Sequence, residues 1–210
     1  YTGEDTLSLH DALPISKNKA VAALQSFFGW FLNVYIEIFR GTPMIVQSMV
    51  IFYGSAQAFN ISLDRTWAAI FIVSINTGAY MSEIVRGGIL AVDTGQFEAA
   101  TALGMTHGQT MRKVVLPQVV RNILPATGNE FVINIKDTSV LNVISVVELY
   151  FTGNTVATQN YQYFPTFTII AVIYFILTFT ITRILRYIER RLDSDTYTTG
   201  ANQMQVKEVK

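Results

Sequence analysis

The sequence predicts an all-α polytopic membrane protein, a transmembrane helical bundle with about four visible spans. Three observations carry this. Half of the 210 residues are hydrophobic and only 14% are charged, against about 25% charged in a soluble domain. Residues 41–63, 66–82 and 149–182 carry no charged side chain, and a helix crosses the hydrocarbon core with about 20 mainly apolar residues. The 34 residues of 149–182 suffice for a span plus an outer loop. Lys and Arg gather in alternate connections, as membrane topology requires. The net charge of zero gives no sign of a nucleic-acid partner. With no Cys, disulfides and thiolate metal sites are excluded.

Residues 1–16 (YTGEDTLSLHDALPIS) are polar and turn-rich and lack the apolar core of a signal peptide. They read as an atypical start, either artefact or truncation, with an ordinary polar tail as the alternative. The membrane domain that follows spans 17–192. Its first stretch, 17–40, is dense enough in apolar residues for an interfacial or span-entry helix. The first span is placed at 40–59 and a short loop at 60–65. The second span, 66–90, carries Glu83 and Arg86 near its far end, three apart and so able to share one helix face.

A polar connector, 93–117, comes next. Asp93 and Gln96 have capping-box spacing and Gly104 can supply a left-handed stop, which predicts a helix at 94–103. Thr106 and Gln109 repeat the start signal for a second short helix, ended by Pro117. A third helix, 118–135, is predicted to kink near Pro125. Lys136-Asp137-Thr138 then interrupts the apolar pattern, so the third span, 122–151, is broken. Residues 148–164 read as an outer loop. The fourth span, 165–187, ends in Arg183, Arg186, Arg190 and Arg191. The polar tail 193–210 is predicted to be disordered and cytoplasmic.

Arg112, Lys113 and Arg121 in the connector, the four Arg after the last span, and Lys17 and Lys19 fall on one side of this topology. The connector and C-terminus are therefore predicted to be cytoplasmic. No P-loop, HExxH or GxSxG is present, and the two His, His10 and His107, form no catalytic group with a neighbour in sequence. Neither an enzyme nor a bound cofactor or metal is expected. Gly104 and Gly108 make a GxxxG in a polar context, where a turn is the better reading.

Within the helix at 94–103, Phe97, Ala100 and Gly104 share a face, with Thr101 at its edge. Small residues allow close approach of a partner, Phe97 offers an apolar anchor, and Glu98 lies where the helix dipole favours negative charge. An amphipathic helix lying on the membrane is the alternative, though the segment has few large apolar residues.

Glu98-Ala99-Ala100, three residues, Gly104, then a basic stretch ending in Leu116-Pro117 resembles the cytoplasmic signature of permease subunits of ATP-binding-cassette (ABC) importers. Phe39-Arg40-Gly41-Thr42-Pro43, Glu83-Ile84-Val85-Arg86-Gly87-Gly88 and Lys136-Asp137-Thr138-Ser139 resemble the polar amino acid branch, with 132–192 similar to glutamine-type permeases of Gram-positive bacteria. The resemblance implies a MetI-like bundle in a bacterial plasma membrane. It implies that Phe97, Glu98, Ala99, Ala100, Thr101 and Gly104 form a coupling helix that docks on an ABC ATPase, with Leu116 and Pro117 opening the next helix. The implied partners are two ATPase subunits, an extracytoplasmic substrate-binding protein, a second permease copy or homologue, membrane lipid and a polar amino acid, glutamine-like above all. Such permeases have a span before the position of Lys17; residues 1–16 stand in its place here.

Polar groups within spans mark transport pathways. The candidates are Gln47, Asn76, Glu83, Glu130, Asn134, Lys136, Asp137 and Glu148. Each has a structural alternative: Glu83 with Arg86, Lys136 with Asp137, Gln47 and Asn134 as interhelical hydrogen-bonding groups. Glu148, Asn134 and free amides of the broken span could hold a zwitterion. Rival functions are a truncated permease fragment, a stand-alone transporter or channel, and a membrane-embedded enzyme.

Overall fold

The computed structural model describes residues 19–208, with side chains described from 21 to 191. The atypical start at 1–16 lies outside the described residues. All regular structure among those residues is helical: α1 Lys19–Gly41, α2 Met44–Phe59, α3 Arg65–Leu90, α4 Thr94–Ala102, α5 His107–Thr110, a π-helical turn Met111–Val115, α6 Leu116–Asp137, a 3-10 segment Thr138–Ile144, α7 Leu149–Asn160 and α8 Tyr163–Glu208. The chain divides into two compact units at Arg86–Gly87.

In the first unit the sequence reading needs correction. Residues 21–41 of α1 and the 26 residues of α3 are long and apolar enough to cross a membrane. The 16 residues of α2, where the first span was expected, reach only about 24 Å at 1.5 Å per residue, against a core of about 30 Å. The uncharged run that suggested the span begins at Gly41, because Glu37 and Arg40 sit in the last turns of the preceding helix. Pro43 then starts α2 in extended conformation, and its carbonyl accepts from Val46 N at 3.0 Å and Gln47 N at 3.1 Å. Asn60, at φ 55°, closes α2. Asp64 opens α3 by accepting from the amides of Thr66 at 3.0 Å and Trp67 at 3.1 Å.

In the second unit, Asp93 caps α4 by accepting from the Gly95 amide at 2.7 Å. Gln96 is no part of that cap; its Oε1 lies 3.5 Å from Gln118 Nε2. Gly104, at φ 73°, turns the chain out of α4. Thr106 and Gln109 form the full capping box at the start of α5. Pro117 does not end that helix. The chain runs helically from His107 to Asp137, and the Leu116 amide bonds the Met111 carbonyl five residues back. A proline lacks the amide and its ring crowds the carbonyl four residues behind. The wider π turn just before Pro117 gives the ring room, so the rod continues.

The break comes later. After Asp137 the helix tightens into the 3-10 segment, and Ser145 takes φ 61°. The helical segments on either side, His107–Ile144 and Leu149–Asn160, are bent by 54°. The outer loop expected at 148–164 is thus largely helix. Small residues explain its packing: Gly153 and Ala157, one turn apart, are both buried, and a Cβ on Gly153 would lie 1.9 Å from Ile170 Cδ1 of α8. Likewise α8 stays helical through Glu208, across most of the tail expected to be disordered. No proline interrupts it there, and extending an existing helix adds one hydrogen bond per residue fixed. The four visible spans are thus α1, α3, the bent pair and α8, by length and composition.

The core of the second unit joins its connector to its long helix. Val92, Val115 and Val119 are buried together, with Ile89, Phe97, Met111 and Ile123 packed around them. Gly88 permits the close approach: an added Cβ would lie 2.2 Å from Ile123 Cγ2 and 3.3 Å from Val119 Cγ1. Gly88→Ala should therefore destabilise the protein by about 1–3 kcal/mol. The Gly88→Ala/Ile123→Ala double variant should lose less than the sum of the two single variants, read by thermal unfolding in detergent micelles.

Candidate functional site

The connector is anchored on one side and open on the other. Ala100 is 2% exposed and Phe97 is half-buried in the valine core, so the face that was expected to receive a partner points back into the chain. Exposed on α4 are Glu98, Ala99, Thr101 and Ala102, followed by Leu103 and Gly104. Leu103 is 81% exposed, a large apolar side chain without cover at the tip of the helix. The sequence reading missed it. Its signal was an apolar residue off the Phe97–Ala100 face immediately before the glycine stop. The Thr101 hydroxyl is engaged, donating to the Phe97 carbonyl at 2.8 Å. Leu116 and Pro117 are exposed in the first turn of α6.

Most of the intramembrane polar candidates are engaged within the protein. In the first unit Gln47 and Asn76 come together, each 7% exposed. Gln47 Nε2 donates to the Phe39 carbonyl at 2.9 Å and the Thr42 carbonyl at 2.8 Å. Asn76 Nδ2 donates to Gln47 Oε1 at 3.0 Å and to the same Phe39 carbonyl at 3.3 Å. The carbonyls at a helix C-terminus have no intrahelical donor; here two amide side chains serve the end of α1 and tie α1, α2 and α3 together. Nearby, Glu83 binds Arg86 on its own helix and Arg40 at 3.4 Å, while Arg40 lies over the Tyr80 ring at 5.8 Å.

In the second unit Glu148 is the N-cap of α7. Its carboxylate accepts from the amides of Tyr150 at 2.7 Å and Phe151 at 2.5 Å and from the Tyr174 hydroxyl of α8 at 3.1 Å. A carboxylate with three donors holds the bend; it is not an open acceptor. Lys136 and Asp137 are exposed and form no ion pair with each other. Asn134 is half-buried and engaged. Glu130 differs. It is 9% exposed, and its carboxylate has no hydrogen bond or ion pair among the described residues. One turn earlier Thr127 Oγ1, which sequence reasoning passed over, is buried with no partner. No cluster of His, Cys, Asp or Glu among the described residues could hold a metal ion.

Residues 20–194 match the family described as binding-protein-dependent transport system inner membrane component. The chain is 41% identical over 173 residues to the glutamine transport system permease protein GlnP of Escherichia coli K12, covering 80% of this chain and 79% of the relative. It is 37% identical over 168 residues to the arginine transport system permease protein ArtQ of Bacillus subtilis, covering 80% and 77%. To the L-cystine transport system permease protein TcyB of the same species it is 42% identical over 165 residues, covering 78% and 70%. Among solved structures, a crystal structure of an amino acid ABC transporter with histidines superposes with a TM-score of 0.74 at 39% identity, covering 87% of this chain and 82% of that one. The inward-facing MetNI methionine ABC transporter shares the fold, with a TM-score of 0.65 at 20% identity over 83% and 77%.

The hydrogen bonds of Gln47 give a prediction. Gln47→Leu leaves Asn76 and the Phe39 carbonyl underserved in a buried setting and should cost about 1–3 kcal/mol, measured as loss of thermal stability of the purified protein. Unchanged stability together with altered amino-acid affinity would instead make Gln47 a ligand contact.

Proposed function

Because the chain belongs to the family of binding-protein-dependent transport system inner membrane components, we propose that it is the translocating subunit of an ATP-driven importer of polar amino acids, with L-glutamine the first substrate to test. The names of the relatives support the substrate class, since they cover glutamine, arginine and cystine. ATP hydrolysis belongs to partner subunits in this reading. An extracytoplasmic binding protein delivers the substrate, and a second permease copy or homologue completes the pathway.

The observation that carries the coupling role is α4: a capped helix with one face fixed in the valine core and Glu98, Ala99, Thr101 and Leu103 bare on the other. In this reading Leu103 is the apolar anchor in a cleft of the ATPase and the small Ala99 and Thr101 allow close approach. Phe97 and Ala100 pass the load inward to α6, while Leu116 and Pro117 begin that helix. Rigid-body displacement of α4 then moves the spans. The basic clusters support a cytoplasmic placement of connector and C-terminus. Gly128 of α6 lies beside Leu185 of α8, so Arg121 and the Arg186–Arg191 turn extend toward the same end of the second unit.

With the permease, ATPase and binding protein reconstituted in proteoliposomes, Leu103→Asp should lower ATP-dependent L-glutamine uptake about tenfold or more at unchanged permease content. Thr101→Cys should crosslink to the ATPase. Labelling of that cysteine from the outside by an impermeant reagent, or uptake that persists without the ATPase, would defeat the assignment.

A further inference from the structure

We propose that Glu130 and Thr127 on α6 form the membrane-interior contact for the α-ammonium group of the transported amino acid; the proposal rests on the transport reading above and adds the residues that hold the substrate.

The argument begins with what hydrocarbon does to polar groups. Water is absent, so an ionised carboxylate needs a positive partner or several donors, and an unpaired one is costly. The protein meets this demand at Glu83 and Glu148. Glu83 has Arg86 and Arg40, and Glu148 has two amides and a tyrosine hydroxyl. Glu130 is 9% exposed and, among the described residues, has none of these; the charged group recorded near it is a second carboxylate, Asp137.

Thr127 is an independent second observation. Threonine in a helix commonly donates to the carbonyl four residues back, and Thr101, Thr155, Thr158, Thr168, Thr178 and Thr182 all do so here. Thr127 does not, although its hydroxyl is buried. Residues three apart are neighbours on a helix surface. The carboxyl group of a largely buried residue thus stands one turn from a buried hydroxyl that both donates and accepts. The complement is a compact group with several N–H donors and a positive charge, which a primary ammonium supplies. A guanidinium could also pair with the carboxylate, in a bidentate fork, but the ammonium is the part that glutamine, arginine and cystine share.

The test uses the permease–ATPase complex in lipid nanodiscs with labelled L-glutamine, and proteoliposome uptake of L-glutamine, L-arginine and L-cystine by the complete system. Binding is expected in the wild type, weakened about tenfold or more by Glu130→Gln and several-fold by Thr127→Val. Glu130→Asp, which keeps the charge, should stay nearer to wild type. Glutaramate, which keeps the amide and carboxylate of glutamine and lacks the ammonium, should not compete. Thr127→Val preserves side-chain shape and removes only a group that has no partner among the described residues, so it tests the idea even if Glu130→Gln fails to assemble. Wild-type uptake with no L-glutamine binding to the complex, or with binding unchanged in both variants, would overturn the assignment and leave the transport reading intact. Failure of the wild type to take up any of the three amino acids would overturn the transport reading and this contact with it.

Discussion

A hydrocarbon environment offers no water, so each polar group in a membrane helix must find its partner in the protein or serve a ligand. That constraint orders much of this molecule. At the end of α1 the helix leaves carbonyls without donors, and the side chains of Gln47 and Asn76 supply them at Phe39 and Thr42. The same turn places Arg40 within reach of Glu83, so amides and charges both converge where α1 gives way to α2. Removing Gln47 or Asn76 leaves the other amide buried and underserved, and for that reason the two act as a set. At the other end of the chain the same constraint sets the shape of the bend, because α7 can start inside an apolar region only where Glu148 satisfies its first amides.

The second unit turns local order into a mechanical path. Capping fixes both ends of the connector: Asp93 and Gly104 delimit α4, and Thr106 with Gln109 starts the next helix. Val92, Val115 and Val119 then bind α4 to the π turn and to α6. Packed interiors have few voids and little compressibility, so they transmit displacement. Gly88 lets the end of α3 approach α6 closely enough to join the cluster.

Local chemistry was the most legible part of the sequence. The start of α5 was readable from Thr106 and Gln109 alone, as was the stop at Gly104, because a cap depends on residues within one turn. The break after Asp137 was legible too, from Lys136-Asp137-Thr138. Helix length against bilayer thickness was not, since the loss of charge at Gly41 looked like the start of a span and α1 had already covered the distance. α7 was hidden because Glu148 is an ordinary polar residue until its amide partners are known. Periodicity placed Phe97 and Ala100 on one face but could not say whether the chain itself covers that face. Only the packing reveals that it does, which leaves Leu103 as the bare apolar group.

α6 carries both ends of the proposed mechanism. Its first turns hold Val119 in the core that grips α4, and Glu130 lies eleven residues further along the same helix. At 1.5 Å per residue the two are about 17 Å apart. A helix bends gently but hardly changes its length, so a load entering at Val119 shifts the carboxylate with it unless the shaft yields between them. Pro125 lies on that segment and is the natural place for yielding, since proline deletes one backbone hydrogen bond. Docking at α4 can thus change the surroundings of Glu130 without any partner touching it. For an importer, that is the requirement: an acceptor that holds an ammonium in one arrangement and gives it up in the other.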